Sequence, residues 1–316
     1  MPQFSIVITC HNQAQFIAAA VSSALSQPFS NKEIIIVDDA STDGSVEILE
    51  RYGSAIRLVK LTKNVGAACA RNVGAETAIG DYLVFLDGDD LLLPWALETY
   101  ARILSQQNVP VIISTLSWFD DQPPKARLEE FPVEIKFVSY ETILTKDRPH
   151  RPSASALVVH REGFREVQGW TDGMFPMEDF DILVKVSALG RAVQILSPPT
   201  TSYRVHANNS IHNVIPFLRE LRGMIRKVNR REYPCVRLYP LHSRAFIGGP
   251  TLYWSRRAFQ GGFYLPALQL LAAGSKMVLA ALICRFAVLL KGRQPIQTAG
   301  IDIPRAVPAA TLQEVG

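Results

Sequence analysis

Residues 80–94 read GDYLVFLDGDDLLLP, five consecutive apolar or aromatic side chains from Tyr82 to Leu86 followed at once by Asp87, Asp89 and Asp90. A short unbroken run of this kind predicts a strand buried on both faces. Its end then presents three carboxylates within four residues, and like charges so close raise one another's pKa unless a cation sits among them. Oxygen ligands point to Mg²⁺ or Mn²⁺. An acidic turn capping the following helix accounts for the same spacing. Toward the N-terminus, residues 4–9 (FSIVIT), 33–37 (EIIIV) and 56–60 (IRLVK) are similar apolar runs, separated by helical spacing over 14–26, 45–51 and 67–77. This βαβ rhythm predicts an α/β fold with a mostly parallel sheet wrapped by helices.

Such sheets bind ligands outside the carboxyl ends of their strands. Strand one runs into Thr9-Cys10-His11-Asn12, strand two into Asp38-Asp39 and the turn to Gly44, and the strand of residues 82–86 into Asp87, so all three polar clusters fall on one sheet edge. Carboxylates at that edge can accept hydrogen bonds from a nucleobase or a ribose, and equally can cap the helix near Ser45. Beyond Pro94 the pattern predicts a helix over 95–106, a strand over 109–117, an exposed loop over 120–134, a strand over 156–160, a helix over 178–189 and short strands at 193–196 and 202–205. From about residue 214 helical patterns dominate. The expected organisation is therefore an α/β domain of residues 1–213 and a helical region of residues 214–316.

The chain has 316 residues, of which 48% are apolar and 20% charged, which excludes wholesale disorder and low-complexity architecture. Its four cysteines are far apart, arguing against a zinc ribbon or a disulfide framework and for a reducing, cytoplasmic compartment. The opening MPQFSIVITC has neither the basic region nor the apolar length of a signal peptide. Net charge is −7 over residues 1–218, +8 over 219–257 and +3 over 258–316. No nucleic-acid partner is expected, and an anionic ligand of the acidic part must be met by a local device such as a metal ion. G-x-G-x-x-G, the P-loop pattern and G-x-S-x-G are all absent, so dehydrogenase, P-loop and serine-hydrolase chemistry lose their main support.

Six segments occur in a fixed order: SIVITCHN, IIIVDDASTDGS, KNVGAACARNVGA, GDYLVFLDGDDLLLP, MEDFDILVKVSALG and YRVHANNS. Together, over roughly residues 4–212, they resemble a family 2 glycosyltransferase with the GT-A nucleotide-diphospho-sugar transferase fold. The resemblance implies metal-dependent, inverting transfer of a sugar from a nucleotide-diphosphate donor to an acceptor hydroxyl on a glycan or lipid-linked glycan. It places Thr9, Asn12, Asp38 and Asp39 around the nucleotide, and Asn64, Gly66 and Arg71 on the donor side. Asp87 and Asp89 form the D-x-D pair, with Asp89 the direct metal ligand and Asp87 near the donor, and His206 ligates the metal or bonds the diphosphate. His11 stands where tyrosine is frequent. The ED motif is Glu178-Asp179, with Asp179 as the base and Glu178 beside it on the acceptor side. Burial beside Glu178 would raise the pKa of Asp179, although acidic residues at a helix start also occur for dipole reasons. Trp170 is a candidate acceptor platform or a core residue.

Arg219, Arg222, Arg226, Lys227, Arg230 and Arg231 recur at three- and four-residue spacings, and residues 264–290 are strongly apolar but interrupted by Lys276 and Arg285. The last apolar run is short for a membrane span of about 20 residues. An amphipathic helical hairpin is expected, either packed on the catalytic domain or in peripheral contact with the inner face of the cell membrane. Residues 294–316 are expected to fray. Two other readings compete: a nucleotidyltransferase that makes sugar nucleotides, and a non-catalytic nucleotide-sugar binding protein.

Overall fold

The computed structural model describes residues 3–120, 133–138, 153–207, 213–291 and 298–301. The first half follows the expected alternation: β1 (Phe4–Cys10), α1 (Ile17–Leu25), β2 (Lys32–Asp38), α2 (Ser45–Glu50), β3 (Arg57–Lys60), α3 (Ala67–Thr77) and β4 (Tyr82–Asp87). Next come β5 (Leu91–Leu92), α4 (Ala96–Gln106), β6 (Val111–Ile113), β7 (Leu116–Phe119), β8 (Val133–Val138), β9 (Leu157–His160) and α5 (Arg161–Glu166). Then follow α6 (Glu178–Val186), β10 (Ala192–Ser197), β11 (Thr201–Arg204) and the helices α7 (Val214–Asn229), α8 (Pro234–Leu238), α9 (Pro240–Gln260), α10 (Tyr264–Ala273) and α11 (Ser275–Lys291), before a last strand, β12 (Thr298–Ile301).

Nine strands form one sheet in the order β12-β8-β10-β6-β9-β4-β1-β2-β3, and β5, β11 and β7 form a second. In the large sheet only β8 and β9 run against the other seven, so the sheet is mostly parallel in direction. β1 is fully buried because its two faces serve two cores. Phe4, Ile6 and Ile8 join α1 and α4 on one side, while Val7 joins α3 on the other. The second core continues without a break from Val7 and Phe85 to Leu221, Phe246 and Trp254 of the C-terminal helices. Residues 1–213 and 214–316 therefore share apolar packing.

Two expectations are corrected. The single strand over 109–117 is split, because buried Ser114 and Thr115 leave the ladder: the Ser114 amide donates to the Ala156 carbonyl at 2.8 Å and the Thr115 hydroxyl bonds the Ile195 carbonyl. β6 stays in the large sheet and β7 enters the small one. The supposed tail is not frayed throughout, since Thr298–Ile301 pairs antiparallel with β8, covering backbone groups that an edge strand would leave unpaired. Much of the loop at 120–134, and residues 208–210 of the last motif, lie outside the described residues.

The long helix α9 crosses α11 closely at Gly248. A Cβ built there would lie 2.2 Å from the Met277 carbonyl oxygen and 2.8 Å from the Ala281 Cβ. Backbone cannot yield as a side chain can, so Gly248→Ala is expected to destabilise the protein by about 1–3 kcal/mol. A denaturation midpoint equal to wild type would contradict this.

Candidate functional site

The ends of β4, β1 and β2 are neighbours and parallel, so the segments after them converge. They open on a cavity of about 860 Å³ that also reaches α6, α7 and α9. At its first end lie Thr9, His11, Asp39, Asn64 and Gly66. Asp39 spends both carboxylate oxygens on the loop before α3, accepting from the Val65 amide at 2.7 Å and the Gly66 amide at 2.8 Å. That loop needs glycine at 66, where φ is +87°. His11 Nδ1 donates to the Asp39 carbonyl at 2.7 Å, which leaves Nε2 to accept from Asn64 Nδ2 at 2.9 Å. The ring is thus held in one orientation on the cavity wall.

Asn12 and Asp38 do not line the cavity. Asn12 accepts from the Thr42 amide at 2.8 Å, and Asp38, 1% exposed, accepts from the Ser41 amide at 3.0 Å. Both side chains are engaged with the turn after β2, because short polar side chains beside a turn satisfy its backbone donors.

The acidic end of β4 divides its work. Asp87 accepts from Arg71 at 2.7 Å, Asp89 lies 2.8 Å from His206 Nε2, and Asp90 turns inward to Ser155 and the Arg204 amide at 2.6 and 3.0 Å. Burial pushes the Asp90 carboxyl well above the usual range. Among the described residues no three metal-ligating side chains cluster, so the protein offers a pair, Asp89 and His206.

Arg71 projects from α3 into a ring of acids. Besides Asp87 it approaches Glu178 at 3.7 Å, and its Nε and Nη1 are buried without hydrogen-bond partners. Burial works against its charge, but Asp87, Asp179 and Glu178 hold it protonated. Glu178 lines the cavity while facing this arginine, and burial raises its pKa against the cation's pull. Asp179 opens α6 on the cavity wall with Oδ1 buried and unpartnered. Burial, then the charge of Glu178, pushes its carboxyl up to about 8, with Arg71 opposing. Two residues along, fully buried Asp181 accepts from Thr171 at 2.6 Å, from Lys227 of α7 at 3.2 Å and from the Tyr233 hydroxyl. The helix carrying Asp179 is thereby fastened to the C-terminal helices.

Trp170 is a core residue rather than a platform. It is 2% exposed, packs edge-on to Phe85 at 5.4 Å and lies under Arg71 at 4.7 Å. Asn72 brackets its backbone with two 2.9 Å bonds and helps turn the ring inward. The aromatic walls of the far end are instead Trp118, Phe175, Tyr253 and Trp254. They come from β7, the loop before α6 and α9, separations that no local sequence pattern joins.

The sequence matches the profile described as glycosyl transferase family 2 over residues 5–167. An uncharacterized glycosyltransferase of Haemophilus influenzae is 29% identical over 210 residues, 64% of this chain and 65% of that protein, so the chain spans slightly less than two thirds of this relative. The Escherichia coli UDP-Glc:alpha-D-GlcNAc-diphosphoundecaprenol beta-1,3-glucosyltransferase WfaP is 29% identical over 216 residues, 66% of this chain and 80% of that one. Among solved structures, S. aureus TarS residues 1–349 in complex with UDP-GlcNAc superposes with a TM-score of 0.67 at 17% identity, covering 89% of this chain and 81% of that one. The fold is thus that of the GT-A glycosyltransferases.

Proposed function

Because this chain belongs to glycosyl transferase family 2, we propose that its cavity performs metal-dependent, inverting transfer of a sugar from a nucleotide-diphosphate donor to an acceptor hydroxyl on a glycan or lipid-linked glycan. The observation that carries this reading is the unpartnered oxygen of Asp179, on the wall of the same cavity as Asp89. A carboxylate with a raised pKa and a free oxygen accepts a proton more readily than an ordinary aspartate. Support for the donor comes from TarS, solved with UDP-GlcNAc, and for a lipid-linked acceptor from WfaP, whose name specifies one.

In this reading the nucleotide lies along Thr9, His11, Asp39 and Asn64. Asp89 and His206 would hold Mg²⁺ or Mn²⁺ as a carboxylate–imidazole pair. When bound, the ion would neutralise charge on the departing diphosphate. Asp179 takes the acceptor hydroxyl proton while that oxygen forms a bond to the anomeric carbon, and the bond from that carbon to the diphosphate breaks on the opposite face. Arg71 sets a cation against Asp87 and Glu178 beside the reacting groups.

Thermal-shift screening of UDP-, GDP- and dTDP-sugars with Mn²⁺ tests the donor, since a ligand of the native state stabilises it by mass action. NMR of the product's anomeric configuration then tests inversion. Pyrophosphate release from a nucleoside triphosphate would instead favour the nucleotidyltransferase. At the far end, Tyr253→Ala is expected to raise the acceptor KM roughly five- to tenfold by loss of one aromatic contact, with the donor Kd unmoved. An unchanged acceptor KM would remove Tyr253 from that subsite.

A further inference from the structure

We propose that the α10–α11 hairpin is a docking surface for an anionic lipid bilayer, on which it lies in the interfacial plane. On α11, Leu279, Leu282, Ile283 and Phe286 recur at positions i, i+3, i+4 and i+7 and are each 47–63% exposed, whereas Met277, Ala280 and Ala281 face the protein. On α10, Tyr264, Leu265 and Leu268 make a second exposed apolar stripe opposite buried Ala267 and Leu270. Packing against the rest of the chain has therefore claimed the small residues and left the large ones outward, the reverse of a soluble helix pair.

Charge identifies the occupant. Residues 233–301 contain no aspartate or glutamate and eight lysines or arginines, of which Arg237, Arg256, Lys276 and Arg285 are exposed among the described side chains. An apolar face set among uncompensated cations complements an anionic headgroup layer. A second copy of the same face would bring cation against cation. No single described helix is long and apolar enough to cross a membrane, and α10 and α11 are bent by 68° at Gly274, which suits partial burial in an interface better than a span. The hairpin is also continuous with the site: α11 packs on α9 at Gly248, and α9 carries Tyr253 and Trp254 of the cavity wall. If the proposed transfer is correct, a lipid-linked acceptor would arrive on the side the docked hairpin already faces.

The test is co-sedimentation of the full chain with vesicles of phosphatidylcholine alone or of an equimolar mixture with phosphatidylglycerol. Binding is expected to the mixed vesicles, to weaken with salt, and to fall at least about tenfold in Leu282→Glu/Phe286→Glu, since each loses a buried apolar contact. Lys276→Glu/Arg285→Glu is expected to lose binding to the anionic vesicles. Both variants should melt as wild type does and keep the thermal shift given by a nucleotide sugar, which separates a failed docking surface from a failed reaction. Wild type remaining in the supernatant would overturn the proposal. So would variants that bind undiminished, or a wild-type dimer in solution that Leu282→Glu/Phe286→Glu splits without any vesicle binding.

Discussion

Asp179→Asn is expected to lower the rate of sugar transfer by about 10³-fold, within the range that a positioned general base contributes, while leaving the donor Kd within a few-fold of wild type. The amide keeps the shape of the carboxylate and removes its capacity to take a proton. In the wild type, kcat/KM should rise with pH as Asp179 ionises, and because burial and Glu178 push its carboxyl up to about 8, that rise belongs near pH 8 rather than in the usual carboxylate range. The variant should lose this limb. Stability should move the other way. A folded-state pKa above the unfolded one means the carboxyl favours folding below the unfolded value and loses that contribution as pH climbs through the folded value. Asp179→Asn, which never ionises, should therefore melt higher than wild type at pH 9 and differ least at acid pH. Transfer at the wild-type rate would remove the base assignment.

Asp89→Ala is the second large effect. It takes away the one carboxylate beside His206 and with it half of the pair assigned to hold the metal. Turnover is expected to fall roughly a thousandfold, as for loss of a main stabiliser of leaving-group charge. Calorimetry with UDP should show tight binding in Mn²⁺ for wild type and metal-independent, weak binding for the variant. Asp90→Asn offers a contrast, since Asp90 is buried under Ser155 and Arg204: it should cost stability and spare the metal response. A chelator-treated wild type with full activity, matched by active Asp89→Ala, would end the metal hypothesis.

The sheet was legible because buried parallel strands declare themselves as apolar runs, and β1, β2 and β4 each end in the polar cluster that the fold brings together. The break between β6 and β7 was not, because Ser114 and Thr115 fit a strand pattern and their hydroxyls become informative only beside Thr200 and Ile195. Within the site, Asp179 could be read from its motif and its raised pKa from burial beside Glu178, but not the opposing cation of Arg71, more than a hundred residues earlier. Trp170 was ambiguous for a related reason: an indole beside a cavity and an indole under it have the same sequence context, and Asn72 helps decide between them. Asp38 and Asn12 carry side chains suited to a nucleotide and equally to a turn, and the turn is nearer.

The anchoring of Asp181 by Lys227 and Tyr233 has an evolutionary corollary. The family profile ends at residue 167, before Asp179, and the segment carrying that aspartate takes its footing from helices later still. Grafting a foreign C-terminus onto this sheet would strand Asp181 in the interior without its cation and slacken the hold on Asp179, the proposed base, two residues away. Hybrids that keep the position of Asp179 should therefore carry both partners of Asp181 across the junction.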